Sequence, residues 1–225
     1  MKTLIIVPAF NEAKMIGSVL TDLQGAGYKN IVVIDDGSRD DTAQIAQNLK
    51  VPTICHVVNR GLGAALATGF EYARLIRADA VVTFDSDGQH RATDLKALLA
   101  PIEKGSADVV IGSRFADLGK IPLDRKIVNL ISDLITLLFY AVWTTDSQSG
   151  LRAFNKKAVD GVKIITDRME VSSEFFKEIH RNHLKFKEIA IDAIYTPYSL
   201  KSSKQGNVAA ASIKIGFQLL VRLFR

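Results

Sequence analysis

The stretch "DAVVTFDSDGQH", residues 79–90, places an almost continuous apolar run directly before two aspartates. Its first half is rich in β-branched and aromatic residues, which is typical of a strand buried on both faces. Asp85 and Asp87 stand two residues apart, so in an extended chain their side chains point to the same side. The stretch therefore predicts a buried strand that ends in a pair of carboxylates.

Similar apolar runs recur along the first half of the chain and alternate with helical patterns. This alternation predicts an α/β fold with a Rossmann-like, mostly parallel sheet flanked by helices. Neither an internal repeat nor a low-complexity linker marks a domain boundary before about residue 115. The strands are expected at 3–9, 30–37, 53–58, 79–87 and 108–114, and the helices at 12–23, 41–49, 64–76 and 93–103.

Composition limits the class of protein. A chain of 225 residues is long enough to bury a substantial core. The single cysteine, Cys55, excludes an internal disulfide and fits a reducing compartment. The first ten residues, "MKTLIIVPAF", are typical of a strand and not of a signal peptide. Because no run of about 18 apolar residues occurs, we expect no transmembrane helix.

Positive charge is concentrated at the C-terminal end. The net charge is +5, and residues 181–225 hold eight basic and two acidic side chains. Such a segment favours a phosphate-bearing partner, although it also fits a solvated basic face. Aromatic residues are not interleaved with the basic ones, which argues against nucleic acid as the partner.

Polar motifs follow four of the predicted strands: "PAFNE" (8–12), "DDGS" (35–38), "NRGLG" (59–63) and "DSDGQ" (85–89). Any one of them alone is also typical of a helix cap. Ligands of such sheets bind beyond the carboxyl ends of the strands, so four motifs at one edge indicate a binding cleft. A dinucleotide loop is not indicated, because "GLGAAL" has Leu66 in place of the third glycine and follows the third strand.

The paired carboxylates favour a hard cation. Oxygen ligands select Mg²⁺ or Mn²⁺, which bind one or two carboxylates and take their other ligands from water and phosphates. Gln89 adds an amide oxygen to Asp85 and Asp87. An ion held there would neutralise a diphosphate leaving group. The adjacent His90 is interpreted as a surface or structural residue.

Six motifs occur in a fixed order along the chain: "VPAFNE", "VIDDGSRDDT", "NRGLGAAL", "FDSDGQH", "GSR" and "DSQSGLRAF". In this combination the chain resembles family 2 glycosyltransferases of the GT-A fold, and within them the dolichyl-phosphate mannose synthase group. The resemblance covers residues 1 to about 160. It implies an inverting, metal-dependent enzyme that transfers a sugar from a GDP- or UDP-linked donor to a polyprenyl phosphate.

The resemblance also implies a role for individual residues on the donor side. Asp85, Asp87 and Gln89 match the metal motif of the family. Asp87, Arg114 and Arg152 are expected to be catalytic. The nucleotide-sugar is expected to contact Pro8, Phe10, Glu12, Ile34, Asp36, Asp85, Ser86, Asp87 and Arg114.

The acceptor phosphate is expected to contact Arg125, Ser149, Arg152 and Lys204. Two points weaken this set. Arg152 has an alternative role, which is to anchor its own loop. Tyr198 stands where relatives often carry an arginine, so the match around Lys204 is incomplete.

Two segments bear on the membrane. Residues 124–143 form a predicted amphipathic interface helix within a catalytic domain of residues 1–205. Residues 206–225 form a predicted basic amphipathic helix that presents Lys214, Arg222 and Arg225 beside an apolar face, a pattern typical of an interfacial helix. We therefore expect peripheral association with the cytoplasmic face of a membrane. Packing of both helices on the core or on a second subunit is the alternative, and an oligomer stays open.

Other functions remain open at this point. One is transfer to a soluble saccharide or protein acceptor. Another is a non-catalytic sugar-nucleotide-binding protein, which would keep Asp36 without needing all three metal-motif residues. The sequence does not distinguish the sugar, the base, or Mg²⁺ from Mn²⁺.

Overall fold

The computed structural model describes residues 1–114, 142–192 and 194 of the chain. These residues contain seven strands and six helices. The strands are β1 (Thr3–Ala9), β2 (Ile31–Asp35), β3 (Thr53–Cys55), β4 (Ala80–Thr83), β5 (Val109–Ser113), β6 (Arg152–Asn155) and β7 (Phe186–Ala190). The helices are α1 (Ile16–Gly25), α2 (Thr42–Asn48), α3 (Leu62–Leu75), α4 (Asp94–Glu103), α5 (Lys156–Gly161) and α6 (Val171–Arg181).

All seven strands belong to one sheet, in the order β3-β2-β1-β4-β6-β5-β7. Strand β6 is antiparallel to both of its neighbours, β4 and β5, and the other pairings in the sheet are parallel. The predicted mostly parallel α/β sheet is thus confirmed. The strand order reverses beside β1, so the crevice in which such sheets bind ligands opens at the carboxyl ends of β1 and β4.

Both faces of the sheet are covered, which explains why β1, β2, β4 and β5 are predominantly apolar. Ile5 and Val7 of β1 pack with α1 and α4 on one face. Leu4 and Ile6 pack with α3 and α6 on the other. Alternate residues of one strand thus enter two separate core clusters, as the two-residue period of a strand requires.

Strand β1 has the predicted bounds, whereas β2, β3, β4 and β5 are shorter than the sequence predicts, mainly at their carboxyl ends. Strand β3 ends at Cys55, and β4 ends at Thr83 before the two aspartates. Helix α1 begins at Ile16 because residues 12–15 form a turn, closed by a bond from the Met15 amide to the Glu12 carbonyl at 2.9 Å. Most residues of the polar motifs therefore lie in the loops that follow the strands. Strands β6 and β7 and helices α5 and α6 were not predicted.

The loop that follows β3 packs closely against the segment between α5 and α6. The carbonyl of Asp167 accepts the amide of Ala64 at 3.0 Å, in the first turn of α3. A Cβ atom on Gly63 would lie 1.9 Å from the Thr166 carbonyl oxygen. Glu174 of α6 fixes that segment by accepting bonds from the amides of Ile165 and Thr166. Glycine at position 63 is therefore required by the close approach of two backbones.

The two predicted membrane-facing segments fall outside the described residues, except for Val142 and Trp143, which are not helical. Within the part of the chain that the structure describes, no helix is long and apolar enough to cross a bilayer.

Replacing Gly63 by Ala is expected to lower the free energy of unfolding by roughly 1–3 kcal/mol, the usual cost of overpacking. The new methyl group has to displace the Thr166 carbonyl, which is backbone and cannot rotate away. Urea unfolding followed by circular dichroism measures the change. Gly25→Ala is the matched control, because no atom lies within 4 Å of its added Cβ. An equal effect of the two substitutions would contradict the close approach.

Candidate active site

The loop after β4 carries the two aspartates and turns sharply behind them. Gly88 has a φ of 75°, a conformation that favours glycine. Asp87 accepts the backbone amide of Gln89 at 3.0 Å and its side-chain Nε2 at 2.6 Å. Ser86 is buried and donates its hydroxyl to the Pro8 carbonyl at 2.8 Å. The end of β4 is thus tied to the end of β1, where the crevice opens.

Asp85 lies between a histidine and a glycine. His90 has a buried ring whose Nε2 lies 3.3 Å from Oδ2 of Asp85. A Cβ atom on Gly150 would fall 2.1 Å from that same oxygen. Burial alone would raise the pKa of the Asp85 carboxyl, but the hydrogen bond and charge of His90, with the charges of Arg114 and Arg152, hold it below its usual value.

The pKa of the Asp87 carboxyl shifts in the opposite direction to that of Asp85. Burial and the neighbouring charge of Asp85 raise the pKa of the Asp87 carboxyl above its usual value. Two carboxylates that repel each other in this way are stabilised by a cation between them. The described residues hold no cluster of three or more His, Cys, Asp or Glu side chains arranged for a metal. Two carboxylates fit Mg²⁺ or Mn²⁺, because these ions keep positions for water and phosphate oxygens.

The loops after β1 and β2 are joined by hydrogen bonds between their motifs. The amide of Asn11 donates to Ser38 Oγ at 2.8 Å, and the Asn11 side chain accepts the amide of Arg39 at 2.8 Å. The amide of Glu12 donates to Thr42 Oγ1 at 2.8 Å. Asn11 has a φ of 56°, which Asn tolerates better than most residues. These polar residues therefore shape the crevice by fixing its two neighbouring loops.

Asp36 is buried, and its carboxylate is surrounded by donors from the loop after β3. One oxygen accepts His56 Nδ1 at 2.7 Å and the amide of Arg60 at 3.0 Å. The other accepts Asn59 Nδ2 at 2.9 Å and the amide of Gly61 at 2.6 Å. In this structure Asp36 thus fixes the conformation of residues 56–61, and both of its carboxylate oxygens already have protein partners.

Arg114 follows β5 and forms a two-pronged ion pair with Asp146. Its Nε and Nη2 atoms lie 2.7 Å and 2.8 Å from the two carboxylate oxygens, and its backbone amide donates to Oδ2 at 3.0 Å. Asp146 has no exposed side-chain surface, whereas the Arg114 side chain is 18% exposed. Arg114 therefore lies at the edge of the site in a fixed orientation.

Arg152, which was expected to bind the acceptor phosphate, is buried beneath the site. Its Nε donates to the Ser149 carbonyl at 2.8 Å and its Nη2 to the Ser147 carbonyl at 2.9 Å. The guanidinium carbon lies 4.8 Å from the centre of the Phe175 ring. Burial lowers the pKa of Arg152 to about 10. The alternative role, an arginine that anchors its own loop, describes these contacts, and Ser149 is likewise fully buried.

The remaining donor-side residues differ in exposure. Pro8 is buried at the end of β1, while Phe10 is 44% exposed and Glu12 is partly buried. Ile34 is fully buried in the core cluster of the α3 face. Phe10 is thus the residue among these four whose side chain offers most surface to a ligand.

The acceptor residues Arg125 and Lys204 fall outside the described residues, as does Tyr198. Sequence reasoning missed Asp146, although it stands in the quoted motif "DSQSGLRAF". The available signal for Asp146 was that its carboxylate could pair with the arginine of "GSR". His90, interpreted from the sequence as a surface or structural residue, is buried against Asp85, so the structural alternative describes it.

Comparison with solved structures gives the class of fold. The chain is similar to glucosyl-3-phosphoglycerate synthase from Mycobacterium tuberculosis, crystallised with Mn²⁺, UDP-glucose and phosphoglyceric acid. The TM-score is 0.68 at 18% identity, and the match covers 94% of this chain and 77% of that one. The fold is therefore the GT-A fold of nucleotide-sugar glycosyltransferases.

Comparison of sequences gives the family. The model of glycosyl transferase family 2 matches residues 4–162, and the chain belongs to that family. A UDP-N-acetylglucosamine–dolichyl-phosphate N-acetylglucosaminyltransferase of Methanococcus voltae is 37% identical, over 97% of this chain and 93% of that protein. A dolichol-phosphate mannosyltransferase of Pyrococcus furiosus is 32% identical, over 73% of this chain and 49% of that protein. The resemblance to this family and its polyprenyl-phosphate group is confirmed.

Gly150→Ala is expected to weaken Mn²⁺ binding by about 10- to 100-fold, the range for losing a group that supports a metal ligand. Its Cβ would overlap the Asp85 carboxylate and force it to move. Calorimetric titration with Mn²⁺ measures the change. The control is Gly161→Ala, whose nearest neighbour is the flexible Asn182 side chain at 3.3 Å. Unchanged Mn²⁺ affinity in Gly150→Ala would show that Asp85 does not bind the ion.

Proposed function

We propose that this family 2 enzyme transfers a sugar, with inversion, from a nucleotide diphosphate-sugar to a polyprenyl phosphate of the dolichyl type. The observation that best supports this function is the pair Asp85 and Asp87 at the carboxyl edge of the sheet, with Arg114 close enough for its charge to act on Asp85. Both of the relatives described above are named for transfer to dolichyl or dolichol phosphate.

For the donor we propose UDP-N-acetylglucosamine. The relative named for this donor matches over nearly the full length of both chains. The mannosyltransferase matches over about half of its own length. Mannose from GDP-mannose is therefore the second candidate, and glucose is the third.

The chain's own residues supply positioning and charge. Asp85 and Asp87 would hold Mg²⁺ or Mn²⁺. Gln89 orients Asp87 through its hydrogen bonds, and its amide oxygen would be a further ligand of the ion. When bound, the ion neutralises the diphosphate that leaves the sugar. Arg114 places a fixed positive charge beside the diphosphate. Asp36 keeps residues 56–61 in the shape that receives the nucleotide, and the exposed ring of Phe10 offers a surface for the base.

A phosphate acceptor is consistent with the hydrogen bonds that the buried carboxylates of Asp36 and Asp146 already accept. Phosphate is already anionic at neutral pH, so it attacks the sugar from the face opposite the diphosphate without a strong general base. A hydroxyl acceptor would need such a base. Asp36 and Asp146 are buried, and both oxygens of each accept hydrogen bonds from protein donors. These two aspartates are therefore poorly placed to remove a proton.

The donor and acceptor are tested by incubating the protein with polyprenyl phosphate and UDP-N-acetylglucosamine, UDP-glucose or GDP-mannose, each with Mn²⁺ and with Mg²⁺. We expect lipid-linked N-acetylglucosamine as the main product. If no donor gives a lipid-linked product while sugar is transferred to a soluble saccharide, the proposed acceptor is wrong.

Asp87→Asn is expected to lower transfer by at least about 100-fold while the fold is kept, because the carboxylate charge is lost at a loop and not in the core. Asp108→Asn is the control: Asp108 is a buried carboxylate that is ion-paired to Lys157, and it lies at the opposite end of β5. The assay is lipid-linked product formed per minute under saturating donor. Full activity of Asp87→Asn, or of wild type in excess chelator, would remove the ion from the proposal.

Membrane association is proposed from the sequence of the C-terminal segment. Each cation near an anionic bilayer contributes about 1 kcal/mol of binding free energy. Changing Lys214, Arg222 and Arg225 to Glu is therefore expected to release the protein from anionic vesicles in a flotation assay. Three exposed lysines elsewhere serve as a charge-matched control: Lys29, Lys96 and Lys104. Equal release by both sets would show that net charge, and not this segment, controls binding.

A further inference from the structure

Asp146 is a buried carboxylate for which the proposed reaction has so far no role. It lies in the loop before β6, has no exposed side-chain surface, and accepts three hydrogen bonds from the single residue Arg114. A bidentate arginine–carboxylate pair fixes the plane of the guanidinium as well as its position. The pair thus determines how Arg114 is presented at the edge of the site.

The loop around Asp146 is itself held rigidly by two strands. Glu188 of β7 accepts a bond from the Thr145 amide at 2.9 Å and another from the Thr144 hydroxyl. Ser113 of β5 and Thr145 share a hydroxyl–hydroxyl bond of 2.7 Å. The amide of Asp146 donates to Thr144 Oγ1 at 3.2 Å. Asp146 is therefore placed before any ligand arrives, which is the condition for a group that orients another.

The same geometry argues against a role in proton transfer. Both carboxylate oxygens point at the Arg114 fork, and the side chain is closed to solvent. A general base has to come within hydrogen-bond distance of the proton that it removes. Asp146 reaches the reacting groups through Arg114 and not directly.

We propose that Asp146 is a positioning residue that holds Arg114 in the orientation needed for the donor diphosphate, and that it is not a general base. This inference rests on the proposed function, in which Arg114 meets the diphosphate. Gly150 lies four residues further along the same loop, against Asp85. One loop thereby supports both the arginine and a metal-binding carboxylate.

The test is a double-mutant cycle of Asp146→Asn and Arg114→Gln, with Asp108→Asn as the control for loss of a buried ion pair. Asp146→Asn is expected to lower kcat/KM for the nucleotide-sugar by about 10- to 100-fold, the range for groups that orient a functional residue. Because Asp146 acts through Arg114, the double variant should fall no more than about twofold below Arg114→Gln alone. Asp108→Asn should keep wild-type kcat/KM.

A second measurement does not depend on turnover. Calorimetric binding of UDP and GDP in the presence of Mn²⁺ is expected to weaken about 10-fold in Asp146→Asn and to stay unchanged in Asp108→Asn. The pH dependence of kcat in Asp146→Asn should keep the wild-type shape. Thermal unfolding of both variants shows whether they are equally well folded.

Three results would overturn the inference: equal kcat/KM in Asp146→Asn and Asp108→Asn, a double variant whose losses multiply, or a pH limb of kcat that disappears with Asp146. Wild-type protein that binds nucleotide but transfers nothing to polyprenyl phosphate would contradict the proposed function instead. In that case the binding measurement still decides between Asp146 as a positioning residue and Asp146 as a merely structural one.

Discussion

The Asp85 carboxylate lies directly against the backbone of Gly150, and most of the site depends on that contact. A charged group at the end of a buried strand is costly unless nearby donors and positive charges compensate for the water it loses. Here His90, Arg114 and Arg152 provide that compensation. Only glycine at position 150 lets the loop approach this carboxylate so closely.

The contact exists because β6 runs against the direction of its neighbours. Its residues pair antiparallel with both β4 and β5, so the chain enters β6 at the same edge of the sheet where β4 ends. The loop of residues 146–151 is thereby delivered to the crevice. Arg152, the first residue of β6, fixes this loop from below by binding the carbonyls of Ser147 and Ser149. The buried Arg152 thus supports the site by binding backbone carbonyls. Of the two arginines near Asp85, Arg114 is the one whose side chain is partly exposed.

The sequence predicted the central parallel strands well and the site less completely. Strands β1, β2, β4 and β5 are nearly continuous apolar runs bounded by polar residues, so the pattern of strands buried on both faces was readable. Strand β6 is four residues long and begins with a charged residue, so nothing local marked it as a strand. Its burial comes from tertiary contacts, since the guanidinium of Arg152 finds two carbonyls and an aromatic ring. Asp36 and Asp146 were visible as carboxylates, but their partners come from loops distant in sequence, which spacing alone does not predict.

The central claim is that the carboxyl edge of β4 binds a divalent ion together with a nucleotide diphosphate. The most direct measurement is a crystal structure of the protein grown with Mn²⁺ and UDP, with diffraction collected near the manganese absorption edge. The account predicts an anomalous peak in contact with oxygens of Asp85 and Asp87 and with the diphosphate of the nucleotide. A nucleotide bound at another surface, or a manganese peak away from both aspartates, would contradict it.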